Sequence, residues 1–446
     1  MSKETKKNPI SYRELINTYP HFTRVWLSEF ISFVGDWFNT VAIYTAVQEL
    51  SNSAQAIALV MVVKMLPGFL VAPMAGPLID RYDRRKILLI LDVVRLLTAL
   101  ALIPAYHFES LAGLYILSFI MMGCEGVAAP AKSTIVPMVV PKHHLATANA
   151  LGGGTWSICL AIGAALGGLV TQKLGISAAF FCDALTFLWA FALLWPLPAM
   201  PPKKQESSKQ TMREGLVYLW ARKYLLILAS LKPMIGLLGG AFVLIPIYGT
   251  DIFPKYSGPL FVGLLYAHRG LGAVVGAMVI RIFVGDKLST LRRMIIVGFT
   301  CSALAYIFLG YSSTFWQALL AFFLGALGTS MVWVFSNTLL HNECDAQYHG
   351  RVFSYEFGGI TLFISIFSWL SGYLMDSGYS ASFIAHLTGY LAIIPIVLWL
   401  VALFLRAQKN RYKFDHRLEL RSLILGRKAS VQTKSNTDPK NDAHQS

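Results

Sequence analysis

Apolar residues in this chain gather in long runs, and polar residues fall in the short breaks between them. Twelve runs stand out, at 25–49, 55–79, 86–106, 111–136, 145–171, 176–197, 224–248, 258–283, 293–311, 315–340, 351–375 and 381–405. A helix needs about 20 apolar residues to cross the hydrocarbon core of a bilayer, and each run supplies roughly that number. The runs are too long for barrel strands and lack strict alternation, so the spanning elements are predicted to be helices, which satisfy their backbone groups internally. The pattern alone predicts an all-α integral membrane protein with twelve transmembrane helices, numbered here by run.

The stretch PLPAMPPKKQESSKQTMREG, residues 196–215, is the only long polar interruption ahead of the C-terminal tail, and it divides the runs six and six. Its composition marks a linker. The expected organisation is an N-terminal segment 1–21, a six-helix bundle 22–197, a central linker 198–223, a second six-helix bundle 224–405 and a basic tail 406–446. The tail loses its hydrophobicity after Leu425 and is read as disordered, the alternative being that 411–426 lies as an amphipathic helix on anionic lipid. A repeat supports duplication. GGLVTQKLGISAAFF at 167–181 resembles SGYLMDSGYSASFIA at 371–385, which sets Gly168 against Gly372 and aligns the sixth helix of each half.

Composition agrees, since 55% hydrophobic and 14% charged residues are too apolar for a soluble protein of this length. A formal charge of +15 would suggest a nucleic-acid partner in a soluble protein, but its location argues against one. Loops after even-numbered helices hold fifteen Lys and Arg, against two, Lys173 and Lys255, after odd-numbered ones. By the positive-inside rule the even loops and both termini are expected on the cytoplasmic side of a bacterial inner membrane. The first run carries Glu29 and Asp36 and has no convincing cleavage site, so it is expected to be retained. Cys124, Cys159, Cys182, Cys301 and Cys344 show no paired spacing, and neither a disulfide framework nor a metal site is expected. No GxxxxGK[ST] stretch occurs; no cofactor is expected, and energy is expected from an ion gradient.

Charges inside the runs are the candidate chemistry, because each costs at least about 2.5 kcal/mol on insertion scales. In helix 1, Glu29 and Asp36 lie two turns apart with Ser32 and Asn39 on the same side, which makes one polar stripe facing a wet cavity. Asp36 falls near the midplane and is the first candidate for proton coupling, with Glu29 second; the competing reading is an acid that merely pairs with a buried cation. Lys64, Lys232, His268 and Arg269 would present cationic donors to an acidic substrate from both halves, or would neutralise acids such as Asp36, Glu125 or Asp183. Asp92 and Arg95 are three apart near the cytoplasmic end of helix 3, close enough to pair, and are assigned to gating. Glu356, in the second turn of helix 11, is read as an acid favoured by the helix dipole.

The stretch GPLIDRYDRRKIL, 76–88, resembles the loop 2-3 signature of the major facilitator superfamily through Gly76, Asp80, Arg81, Arg84 and Arg85. It departs at Asp83, where that family usually has glycine; Asp is among the residues that tolerate a left-handed turn. DVVRLL at 92–97, PAKSTIVPMVVPKHHLATANAL at 130–151 and REGLVYLWARKYLL at 213–226 resemble the third drug and proton antiporter group, which contains macrolide efflux proteins and the enterobactin exporter. CLAIGAALGG at 159–168 resembles the exporters' helix 5 signature at Gly163, Gly167 and Gly168, with Cys159 and Ala164 departing from it; small residues at that spacing also simply let helices approach. The resemblance implies two six-helix bundles in pseudo-symmetry and proton-coupled export of an amphipathic drug or siderophore by alternating access, from a monomer. It implies that Asp80 braces the N-terminus of helix 11, with Arg84 and Arg85 completing a charge lock. The alternatives are lysophospholipid transport and a receptor or scaffold that keeps the fold without transporting.

Overall fold

The computed structural model describes residues 10–201, 212–253, 255–285 and 287–408. Residues 1–9 of the segment 1–21, the middle of the linker 198–223 and the tail from 409, including 411–426, therefore lie outside the described residues. Among those described, the regular elements are helical. Twelve helices are long and apolar enough to span a membrane: α1 (Pro20–Leu50), α2 (Ala54–Arg81), α3 (Arg84–His107), α4 (Leu111–Val139), α5 (Thr147–Leu174), α6 (Ile176–Leu194), α7 (Lys223–Thr250), α8 (Pro259–Val284), α9 (Leu288–Gly310), α10 (Phe315–Glu343), α11 (His349–Asp376) and α12 (Ala381–Gln408). Each corresponds to one of the twelve apolar runs. Short helices Tyr12–Thr18 and Met212–Trp220 precede α1 and α7.

Polar residues at the edges of the runs set the helix ends. Ser53, Ser110 and Ser380 accept from the first-turn N–H groups of α2, α4 and α12, and Thr314 with Gln317 forms a capping box on α10. α7 is broken at Gly236–Gly239 by a 3-10 turn in which Leu238 leaves helical geometry. Its cause is close packing. A Cβ at Gly236 or Gly239 would come within 2.5 Å of Phe363 or 2.7 Å of the Ile364 carbonyl on α11. α8 loosens similarly into a π turn at Val275–Val279.

In the first half, α1 packs against α5 and α6, and α3 against α4 and α6; in the second, α10 packs against α8 and α9, and α12 against α9. Two contacts chiefly join the halves, α2 with α11 and α5 with α8, with smaller ones between α2 and α7 and between α1 and α8. Both of the chief contacts depend on glycine. A Cβ on Gly168 of α5 would sit 2.7 Å from the Pro259 carbonyl at the start of α8, and one on Gly372 of α11 would sit 2.8 Å from the Ala54 carbonyl at the start of α2. These are the two glycines that the internal repeat equates, so the duplication has kept the residue that holds the halves together.

Polar contacts reinforce the same end. The Asp376 carboxylate, closing α11, accepts from the Ser53 hydroxyl and from the N–H groups of Ala54 at 2.7 Å and Gln55 at 3.2 Å, so an acid caps α2 across the halves. Gln48 of α1 donates to the Thr250 hydroxyl and, at 3.0 Å, to the Asp251 carboxylate. At the other end, Gly76, Gly152, Gly153 and Gly350 have nothing within 4 Å of where a Cβ would stand. The halves meet on the face opposite the termini and part on the face where α1 begins and α12 ends. Gly263→Val, whose Cβ would lie 2.4 Å from the Ala164 carbonyl, should cost about 1–3 kcal/mol in thermal unfolding of the lipid-reconstituted protein. Gly76→Ala should leave the melting temperature unchanged; equal melting of both variants would show that the α5–α8 contact is not made.

Candidate functional site

The apolar runs bring their few charges together in the interior of the first half. Arg95 of α3 has a fully buried side chain and is the hub. Its Nη2 donates to both oxygens of Asp36 on α1, at 3.0 and 3.1 Å, and its Nη1 lies 3.0 Å from Oε2 of Glu125 on α4. The guanidinium stands 4.1 Å over the Phe187 ring of α6. Asp36 and Glu125 keep 16% and 19% of their side chains exposed, while the Arg95 side chain between them is fully buried. Asp183 of α6 is wholly buried; its Oδ2 accepts from the Asn39 amide at 3.0 Å, and its Oδ1 has no partner.

The expected pairing of Asp92 with Arg95 along α3 is not formed, because Asp36 and Glu125 take both amino groups of Arg95. Asp92 is buried instead in the field of Lys132 and Arg95. Lys132 of α4 is itself 3% exposed with no hydrogen-bond partner for its ammonium, and Glu29 of α1 also feels it. Sequence reasoning passed over Lys132, although it lies two turns after Glu125 on the same helix face.

Five carboxyl groups, Glu29, Asp36, Asp92, Glu125 and Asp183, thus share the interior of the first half with three cations, Lys64, Arg95 and Lys132. Acids therefore outnumber bases there by two, and among the described residues only Arg95 forms ion pairs with them.

The second half is sparser. Lys232 of α7 donates to Glu356 of α11 at 2.7 Å and to the Asn337 amide oxygen at 2.9 Å, with its Nζ 5.1 Å from the Trp333 ring. Lys232 is therefore neutralised, the second of the two readings open to it, by Glu356 and not by Asp36, Glu125 or Asp183, and Glu356, in the second turn of α11, is a pairing acid. Arg269 of α8 lies 4.3 Å over the Phe242 ring, and Nδ1 of the neighbouring His268 bonds the Leu264 carbonyl at 2.9 Å. Lys64, near Asp36 and Asp183, and Arg269 are each half-buried. Among the described residues neither has a hydrogen-bond or ion-pair partner. The rings of Trp37 and Tyr266 stand 5.4 Å apart, and those of Tyr44 and Tyr266, both buried, stack at 6.2 Å where α1 meets α8. Lys64 from one half and Arg269 from the other, each without an ion-pair partner, can receive an anionic group.

The loop between α2 and α3 fastens to its own half. Asp83 is not in a left-handed turn: at φ −62° it caps α3, accepting from Lys86 N–H, and also accepts from Met200 N–H at 2.7 Å. Arg84 donates to Thr134 at 3.0 Å and to the Pro201 carbonyl at 3.1 Å, and Arg85 donates to the Trp195 carbonyl and stacks on its ring. Arg81 lies over Tyr82. Asp80 is exposed and, among the described residues, makes no contact with α11. Gly163 and Gly167 meet α1 at Trp37 and Phe38, while Gly168 meets α8. The helix 5 glycines therefore serve close packing. Around the N-terminus of α11 it is the short helix Met212–Trp220 that docks, with Tyr218 stacked on Tyr348 at 4.0 Å and Glu214 3.6 Å from Arg351.

A family of transmembrane secretion effectors matches residues 17–348. The chain is 27% identical over 267 residues to the uncharacterized MFS-type transporter YfiS of Bacillus subtilis, covering 56% of this chain and 61% of that protein. It is 29% identical over 276 residues to the enterobactin exporter EntS of Citrobacter koseri, covering 59% and 64%. These matches span just under two thirds of each relative's own length. Among solved structures, the nucleoside transporter NupG superposes with a TM-score of 0.71 at 12% identity, over 86% of this chain and 99% of that one. A POT family transporter gives 0.69 at 14%, over 87% and 96%. At such identities the likeness carries the fold alone.

The Lys232–Glu356 pair makes a direct test of the geometry. Lys232→Met alone should destabilise by about 3–5 kcal/mol by stranding a buried carboxylate, and Lys232→Met with Glu356→Leu should recover most of that loss. Additive costs in thermal unfolding would show that the two side chains do not meet.

Proposed function

We propose that this chain, which belongs to the transmembrane secretion effector family of major facilitator transporters, exports an anionic amphipathic small molecule in exchange for protons. The single observation that carries the anionic preference is that the half-buried cations Lys64 and Arg269 have no acid partner, whereas Arg95 and Lys232 do; Lys132 also lacks one but is only 3% exposed. Asp36 and Glu125 could meet a cationic drug only by leaving Arg95, and leaving a buried guanidinium unpaired is costly. Lys64 and Arg269 can meet an anion without breaking an ion pair. A siderophore-like polyanion meets them better than a cationic lipophile, and the kinship to a protein named as an enterobactin exporter is in keeping with that class.

Coupling falls to the acid cluster around Arg95, with Asp36 and Glu125 at the cavity edge and Glu29 nearer the face of the termini. Two carboxyls in excess of cations give the site somewhere to carry protons. By the positive-inside rule the open face is cytoplasmic and both termini lie there, in a bacterial inner membrane. The substrate enters from that side, the halves rock about the glycine contacts, and the cavity opens to the opposite face. Once the Asp376 and Gln48 contacts part, Asp80 is the residue placed to meet the N-terminus of α11 in the alternate state. Gly76, Arg81, Arg84, Arg85 and Asp92 support it from the same half.

Everted vesicles with an imposed pH gradient test the reading. Catecholate and carboxylate siderophores should move and macrolides should not. Arg269→Gln or Lys64→Gln should weaken the anionic substrates roughly tenfold to hundredfold, the loss of one charge-assisted hydrogen bond, and Asp36→Asn should remove the gradient's effect on flux while binding persists. Macrolide flux that survives both cation substitutions would overturn the anionic assignment.

A further inference from the structure

Asp183 has no part in the ion pairs just described. Its neighbours account for every acid around it except itself. Asp36 receives two contacts from Arg95 and Glu125 a third, and each keeps an exposed edge. Asp183 is 0% exposed and has a single neutral donor, the Asn39 amide, on Oδ2. Its Oδ1 points at the α1 backbone, where a Cβ added to Gly35 would stand 2.6 Å away, and it has no donor at all. An ionised carboxylate has about four acceptor sites to satisfy, and one amide in an apolar wall leaves most of them bare. A proton on Oδ1 removes the charge and leaves a group that one amide can serve.

We infer that Asp183 of α6 holds the coupling proton, and that Asp36 is the ionised, cavity-facing group through which it enters and leaves. The inference rests on the proton-coupled reading above and assigns its carrier. The groups facing Asp183 are Asp36 and Asn39 from α1, Lys64 from α2 and Arg95 from α3. Arg95 is already shared by two acids, and Lys64 makes no hydrogen bond in this state. Departure of the proton therefore places a second anion beside Asp36 with no committed cation. It does so where α1 and α6 touch most closely, since a Cβ at Gly35 would also lie 2.2 Å from Thr186 Oγ1. Repulsion there acts on α1, whose Trp37 and Tyr44 pack on Tyr266 of α8 in the other half. The state of one buried acid is thereby transmitted to the contact between the halves. The proton comes from water on one face and returns to water on the other, and no other reactant is needed.

Infrared spectroscopy of the full chain in lipid tests this without any substrate. The carbonyl stretch of a protonated carboxylic acid, identified by its shift in deuterated water, should be present at neutral pH in the wild-type protein. It should persist in Asp36→Asn, vanish in Asp183→Asn and change frequency in Asn39→Ala, which removes the one donor while keeping the acid. A band that survives Asp183→Asn, or that is lost in Asp36→Asn instead, would overturn the assignment. So would an unshifted band in Asn39→Ala. Because no transported molecule enters the measurement, a failed export assay leaves this result standing, and a failed band leaves the substrate class untouched.

Discussion

Two glycine contacts decide how this molecule is put together. In lipid there is little hydrophobic force to press one helix bundle against another, so bundles adhere through close packing and buried polar contacts. Gly168 against the start of α8 and Gly372 against the start of α2 supply that closeness at two points related by the internal repeat. Both lie toward the face opposite the one where α1 begins and α12 ends, and in the proposed cycle the halves pivot there and separate at the other end. The cavity, the exposure of Asp80 and the position of the unpaired cations all follow from where those two contacts fall.

The two halves share an architecture but not a chemistry. The first concentrates acids around one arginine, with two more carboxyls than cations; the second carries a closed lysine–glutamate pair and one free arginine. In the proposed function, proton chemistry and anion recognition fall largely to different bundles. Lys64 is the exception, an unpaired cation set among the acids, where it is placed to feel both.

The fold was legible in the sequence because membrane spans announce themselves by length alone: all twelve runs became helices, the repeat found the two contact glycines, and the charges at 29, 36, 125 and 269 were recognisable as foreign to their surroundings. The partners of those charges were not legible. Whether Lys232 faces a substrate or Glu356 depends on how α7 and α11 cross, and periodicity within one helix carries nothing about the neighbour. The same limit put Asp92 with Arg95, a pairing allowed by spacing and overruled by α1 and α4. Lys132 was missed because its stretch was weighed for resemblance rather than for charge. Asp83 was misjudged because a glycine position suggested a strained turn, whereas here the chain needed a helix cap.

The fastening of the loop between α2 and α3 has a mechanical consequence. Asp83, Arg84 and Arg85 hold the chain leaving α6 at Trp195, Met200 and Pro201, and Tyr218 with Glu214 holds the chain entering α7. The covalent tether between the halves is thus anchored firmly at both ends, with the ten residues 202–211 between the described segments. Ten residues span at most on the order of 35 Å however they are arranged. In the proposed cycle that reach sets an upper limit on how far Pro201 and Met212, and with them the two halves, can part.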